Sequence, residues 1–123
     1  MHISRNAFEA AVERAIETIP EMFRARLNNM SIAVEDHPSP GLLEEMELPP
    51  GETLFGIFTG VPLPERSVIE PPLYPDVILI FREPLMAACH SIAELEEEIA
   101  ITVVHEVAHY MGLSEERLEE LGY

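Results

Sequence analysis

The segment from Ser91 to Gly112 constrains the fold of this chain more than any other part of it. Ser91 followed three residues later by Glu94 is a capping box, the pattern that marks the start of an α-helix. Gly112 is placed to end that helix, because glycine readily adopts the left-handed conformation. Apolar side chains recur between them at spacings of three and four residues, so one face must be buried. These side chains are Ile92, Leu95, Ile99, Val103 and Val107.

The polar face of this predicted helix carries side chains with the spacing of metal ligands. From His105 to Glu115 the sequence reads H-E-x-x-H-x-x-G-x-x-E. His105 and His109 lie roughly 40° apart around the helix and away from the apolar stripe, so they can share one ion. Glu106 projects beside them, where it can reach a water molecule without being a ligand. A turn at Gly112 can direct Glu115 back toward both imidazoles as a third ligand.

These residue types predict a catalytic zinc site. Two imidazoles and one carboxylate leave a fourth position of Zn²⁺ for water, whereas structural sites use four protein ligands. We therefore expect one Zn²⁺ per chain and Glu106 as the general base of a hydrolysis. The alternative is a solvated helix face with two incidental histidines. The carboxylates that follow Glu115 are expected only to solvate the last helix; they are Glu116, Glu119 and Glu120.

Composition limits the classes of protein to which the chain can belong. Its 123 residues, 47% of them hydrophobic, predict a single domain over 1–123 with one modest core. The net charge of −16 disfavours nucleic acid and anionic membranes as partners, although solubility explains the charge equally well. Cys89 is the only cysteine, which excludes an intrachain disulfide, and it is expected to be buried. With no signal-peptide pattern and no apolar run of 18 residues, we expect a soluble, cytoplasmic protein.

Periodicity and turn residues predict the remaining elements. The first helix should run from Asn6 to about Leu27, with a kink or a break at Pro20. The order helix, strands, helix, helix predicts an α/β layer with a small sheet against the motif helix. Three strands are predicted: Met30–Val34, Thr53–Thr59 with Gly56 and Gly60 as bulges or close approaches, and Asp76–Phe81 as a central strand covered on both faces. A surface loop is predicted over Glu35–Gly51 and an irregular loop over Val61–Pro75. A short last helix should be capped by Ser114.

The chain resembles the minimal zincin-like metallopeptidases of bacteria. The resemblance lies in Leu54–Thr59 with the following G-V-P-L-P-E-R, in V-I-L-I-F-R ending at Arg82, and in H-E-V-A-H-Y-M-G-L-S-E-E-R-L. It implies a mixed sheet of three or four strands packed on the motif helix, with flanking helices. It also implies a zinc peptidase acting on a peptide or protein, with an acidic third ligand that matches Glu115. The pattern is similar to that of the metzincins as well, but no methionine follows Met111 to form their Met-turn.

Several functional alternatives stay open at the level of sequence. A ribosomal-RNA endoribonuclease family uses a related helix, but its H-G-x-x-H lacks the glutamate base and it needs a basic surface. A non-catalytic zinc-binding regulatory or interaction module, or a metallohydrolase of small amides, has the same ligands. Tyr110, Tyr74 and Arg82 are candidates for stabilising an oxyanion, although packing of Tyr110 and ion pairing of Arg82 explain them more simply. A substrate strand is expected to add along Leu54–Gly60, unless that segment is an ordinary internal strand.

Overall fold

The sheet of this protein has three strands in the residues that the computed structural model describes, which are 1–47, 54–59 and 76–123. They are β1 (Ser31–Glu35), β2 (Gly56–Thr59) and β3 (Val77–Phe81). Their order is β1-β3-β2, with β3 parallel to β1 and antiparallel to β2. The expected mixed sheet is therefore confirmed, and so is the central position of β3. Ile78 and Ile80 on one face of β3 are fully buried, whereas the opposite face is only partly covered by described residues.

Six α-helices accompany the sheet in the described residues, which confirms the expected α+β fold. None of the helices that the structure describes combines the length and the apolar character that a membrane span needs. The helices are α1 (Arg5–Glu17), α2 (Glu21–Arg24) continuing into a 3₁₀ turn (Ala25–Asn29), α3 (Pro40–Glu45), α4 (Arg82–Ala88), α5 (Ile92–Met111) and α6 (Glu115–Glu120).

The core lies where α5 packs against the sheet and against α1. The stripe on α5 is buried as predicted except for Ile92 in its first turn, which is 38% exposed. Each large apolar side chain buried in this way contributes about 1.5–3 kcal/mol relative to an exposed one. The α5 side chains with no exposed surface include Leu95, Ile99, Val103 and Val107, and those of α1 are Phe8, Ala11 and Ala15.

Pro20 breaks the first predicted helix. α1 ends at Glu17, and Pro20 becomes the residue before α2, where its missing N–H removes no hydrogen bond within a helix. The first predicted strand is also confirmed, although β1 begins one residue later than the predicted start at Met30. The last helix begins after Ser114, whose Oγ accepts a hydrogen bond from the N–H of Arg117 at 3.1 Å.

The prediction of a continuous loop over Glu35–Gly51 is wrong at α3. Ser39 caps this helix by accepting a hydrogen bond from the N–H of Leu42 at 3.1 Å, and Pro40 occupies its first position. Both are ordinary helix-start signals, outweighed in the prediction by the Pro and Gly content of the segment. α4 was not predicted either, because one short helix directly after a strand has too few residues to show a period. The predicted loop over Val61–Pro75 lies outside the described residues.

Gly56 sets the distance between β2 and α5. A Cβ atom at this position would lie 2.7 Å from Thr102 Cγ2 and 2.8 Å from the carbonyl oxygen of Leu79. Since the second of these is a backbone atom of the neighbouring strand, it cannot rotate away. The predicted close approach at Gly56 is confirmed; Gly60 lies outside the described residues.

Gly56→Ala should therefore destabilise the protein by about 1–3 kcal/mol, the usual cost of overpacking. Gly41→Ala is the matched control, because an added Cβ at Gly41 meets nothing within 4 Å. Alanine in that helical position should be neutral or stabilise by up to about 1 kcal/mol. Urea unfolding followed by circular dichroism measures both variants. Equal effects of the two substitutions would contradict the assigned role of Gly56.

Candidate metal centre

The turn between α5 and α6 determines where the acidic end of the motif points. Gly112 has a φ of 77°, in the left-handed region, and the next residue, Leu113, donates its N–H to the carbonyl of Ala108 at 2.9 Å. This is the hydrogen bond of a glycine-terminated helix, which reverses the chain direction. Ser114 then caps α6, so Glu115 is the first residue of the new helix.

His109 lies between two carboxylates of the motif. Its Nδ1 is 3.4 Å from Oε2 of Glu106, three residues earlier on α5. Its Nε2 is 3.5 Å from Oε1 of Glu115, which reaches back across the Gly112 turn. His109 and Glu115 are exposed, with 53% and 71% of their side-chain surfaces accessible, whereas Glu106 retains only 16%. One imidazole thus connects the predicted base with the predicted third ligand.

The residue types of the predicted ligands suit zinc, and the distance between two of them suits it as well. Ligand atoms about 2.0–2.1 Å from a tetrahedral zinc are separated by about 3.3 Å, close to the distance between His109 Nε2 and Glu115 Oε1. His105 lies one turn before His109 on the same side of α5 and is partly buried. In the described part of the chain, however, no three His, Cys, Asp or Glu side chains form a group that could hold a metal. The structure therefore brings His109 and Glu115 together but does not add His105 to them.

Glu106 is held beneath the edge of the sheet. The backbone N–H of Phe58 in β2 lies close enough to its carboxylate to lower the pKa of Glu106. Burial raises the pKa of Glu106 above its ordinary value, while the neighbouring imidazole of His109 and the N–H of Phe58 act in the opposite direction. A carboxyl group in this environment is better suited to accepting a proton than a fully hydrated one.

The hydrogen-bonding pattern of β2 explains how Phe58 reaches Glu106. Phe81 donates its N–H to the carbonyl of Phe55, so alternate residues from Phe55 onward face β3. The backbone groups of Gly56 and Phe58 consequently face away from β3, toward the outer edge of the sheet as the described residues form it. The ring of Phe58 packs on Tyr110 of α5, with 5.4 Å between the centroids. Residue types alone did not reveal this backbone donor; the only sequence signal was the expectation that Leu54–Gly60 lies near the site.

The other candidate residues that the structure describes are explained by packing, ion pairing or burial. Tyr110 is 5% exposed beneath β2, consistent with packing. Arg82 donates from Nε to Oδ1 of Asp36 at 3.0 Å and from Nη1 to the carbonyl of Ile3 at 3.1 Å. Cys89 is fully buried, and burial, followed by nearby glutamates, raises the pKa of its thiol. Tyr74 lies outside the described residues.

Comparison with known proteins identifies the class of protein that this fold and motif define. The sequence profile of the zincin-like metallopeptidases matches residues 27–123, which include β1, the motif helix and α6. The chain belongs to the zincin-like metallopeptidase family.

The fold also occurs in a solved structure. A conserved hypothetical protein from Thermo thermophilus superposes with a TM-score of 0.56 and 23% sequence identity, and the alignment covers 97% of both chains. At this identity the similarity concerns the fold alone. A comparison with curated proteins returned no match.

Proposed function

We propose that this protein is a zinc-dependent metallopeptidase with His105, His109 and Glu115 as zinc ligands and Glu106 as the general base. The observation that carries the proposal is the position of His109, whose two ring nitrogens face Glu106 and Glu115 at 3.4 and 3.5 Å. Glu106, the proposed base, and Glu115, the proposed ligand, therefore lie on opposite sides of the same imidazole ring. Membership of the zincin-like metallopeptidase family supports the same reaction class.

The roles of the protein groups follow from their environments. Zinc, when bound, lowers the pKa of a coordinated water toward about 7 and polarises a carbonyl oxygen. Glu106 accepts a proton from the attacking water and returns it to the leaving amine. The N–H of Phe58 lies near the Glu106 carboxylate and favours its charged form. Because Glu106 is mostly buried and Glu115 exposed, we assign proton transfer to Glu106 and coordination to Glu115.

The edge of β2 supports a peptide as the substrate rather than a small amide. The outward N–H and carbonyl of Gly56 and the outward carbonyl of Phe58 lie at the edge of the described sheet, close to Glu106. An extended peptide can pair with such an edge through its own backbone. This arrangement would place a peptide bond near the Glu106 carboxylate. The acidic net charge of −16, together with Glu106, argues against the endoribonuclease alternative.

The proposed centre predicts a stoichiometry of about one Zn²⁺ per chain. Protein purified without chelator should hold this amount after dialysis against zinc at neutral pH, because neutral imidazoles are required for binding. Elemental analysis measures the bound metal, and a strong chelator should remove it. Protein that holds no zinc after this treatment would contradict the proposed centre.

The third ligand can be tested with two neighbouring glutamates. Glu115→Ala should weaken zinc affinity by more than about 100-fold, since even residues behind the ligands contribute about 10–100-fold. Glu116→Ala is the control, because it removes the same charge one residue farther along α6, and its effect should stay within about twofold. Competition with a calibrated zinc chelator measures both affinities. The opposite ranking would reject Glu115 as the ligand.

Glu106→Gln separates the base from the ligands. The variant should keep its zinc and its unfolding midpoint but lose about 10²–10⁴-fold in hydrolysis, because it cannot accept the proton. Mass spectrometry of a peptide library, with and without chelator, gives the cleavage rates. Full activity in the variant would show that Glu106 is not the base. A parent protein that binds zinc but cleaves neither peptides nor small amides would instead support the non-catalytic module.

A further inference from the structure

Within the described residues, β1 forms the edge of the sheet on the side opposite to the candidate metal centre. The N–H of Ser31 points inward and donates to the carbonyl of Asp76 at 2.9 Å. Because backbone groups alternate in direction along a strand, those of Ile32 and Val34 point outward. Among the described residues only Arg5 bonds to these outward groups, through its guanidinium and the carbonyl of Val34. The N–H and carbonyl of Ile32 and the N–H of Val34 therefore face the outer edge.

A groove of about 550 Å³ runs along this edge between β1 and α1. Its apolar lining comes from Val12 and Ile16 on the helix and from Ile32 and Val34 on the strand. The strand residues also pack on the core, so this lining is continuous with the interior of the protein. A polypeptide strand placed beside β1 would find backbone partners on one side and apolar surface beneath it.

The charges around the groove are mainly negative. Glu9 and Glu13 line the α1 wall, and Glu35 lines the β1 wall. Arg5 is the only cation among the lining residues that the structure describes, and its Nε already contacts Glu9 at 3.2 Å. Carboxylates on both walls would therefore attract a cationic segment. The same charge opposes a second copy of this chain, because each copy carries −16.

We propose that the outer edge of β1 binds an extended polypeptide segment that alternates apolar residues with Arg or Lys. The segment adds to the sheet as a further strand, with its apolar side chains on Val12 and Ile16 and its cationic side chains on the opposite face, which is the face of Glu35. Glu9 and Glu13 on α1 add to the attraction of the cationic segment at longer range. This binding site is separate from the proposed hydrolytic centre and does not depend on its activity.

The backbone part of the proposal can be tested with N-methylated peptides. The probe is a fluorescein-labelled, end-blocked peptide of alternating Val and Arg, and fluorescence anisotropy measures its affinity. One derivative carries N-methyl groups on the valines only and a second carries them on the arginines only. A strand presents only alternate N–H groups to its neighbour, so one derivative should bind at least about tenfold more weakly than the other. Equal loss of affinity in both would overturn strand addition.

The electrostatic part is tested with two double variants that change the net charge equally. Glu13→Lys with Glu35→Lys reverses one charge on each wall and should weaken binding of the unmethylated peptide by at least about tenfold. Glu116→Lys with Glu119→Lys, on α6, is the matched control and should change it less than about threefold. Thermal melts check that each variant is folded. Equal weakening by the two pairs would show attraction to net charge alone and would overturn the proposal.

Two further measurements separate this site from the alternatives. Affinity for the probe should be the same before and after a chelator removes zinc, so loss of affinity on zinc removal would place the peptide at the hydrolytic centre and overturn the proposal. Failure of hydrolysis in the parent protein would contradict the proposed function but leave the groove result intact. Sedimentation velocity tests for self-association: dimers that dissociate in the Glu13→Lys, Glu35→Lys variant would assign the groove to a second copy instead.

Discussion

The burial of one face of α5 determines the geometry of everything else in this protein. Leu95, Ile99, Val103 and Val107 have no exposed surface, so the rotation of the helix about its own axis is fixed. His105 and His109 then have to project from the other side. A rotation of α5 by one residue position would carry both the stripe and the motif about 100° around the helix, exposing apolar surface while burying imidazoles. The packing of the core therefore also fixes the direction in which the two histidines point.

The sequence predicts the parts of the structure that have strong local signals. Three local signals were each sufficient to predict an element: the capping box at Ser91, the break at Pro20 and the continuous apolar run of β3. Each works locally, because helix caps and side-chain burial act within a few residues. α3 and α4 were missed because a six- or seven-residue helix shows less than two turns of periodicity. Only non-local pairing could reveal that the N–H of Phe58 reaches Glu106, since every residue except proline carries the same donor.

The two edges of the sheet have different environments although both belong to short strands. At β2, the outward N–H of Phe58 contacts Glu106, and the absence of a side chain at Gly56 lets the strand lie close on α5. At β1, the guanidinium of Arg5 covers one carbonyl, and the adjoining groove is lined by glutamates. Charged side chains at an edge discourage pairing between identical chains while leaving room for a complementary segment. The side chains beside each edge strand thus distinguish the β1 edge from the β2 edge more clearly than the lengths of the two strands do.

The proposed third ligand, Glu115, shows how backbone conformation selects one carboxylate from many. Acidic residues number 23 in this chain, and four glutamates lie within the last nine residues, so composition gives Glu115 no distinction. Its position does: the φ of 77° at Gly112 and the hydrogen bond from Leu113 to Ala108 reverse the chain, and the Ser114 cap starts a helix at the next residue. Glu116 is already rotated by about 100° from Glu115 around α6. The 3.5 Å separation of Glu115 from His109 therefore follows from turn chemistry that can be read in the sequence as G-x-S-E, whereas the total negative charge has no part in it.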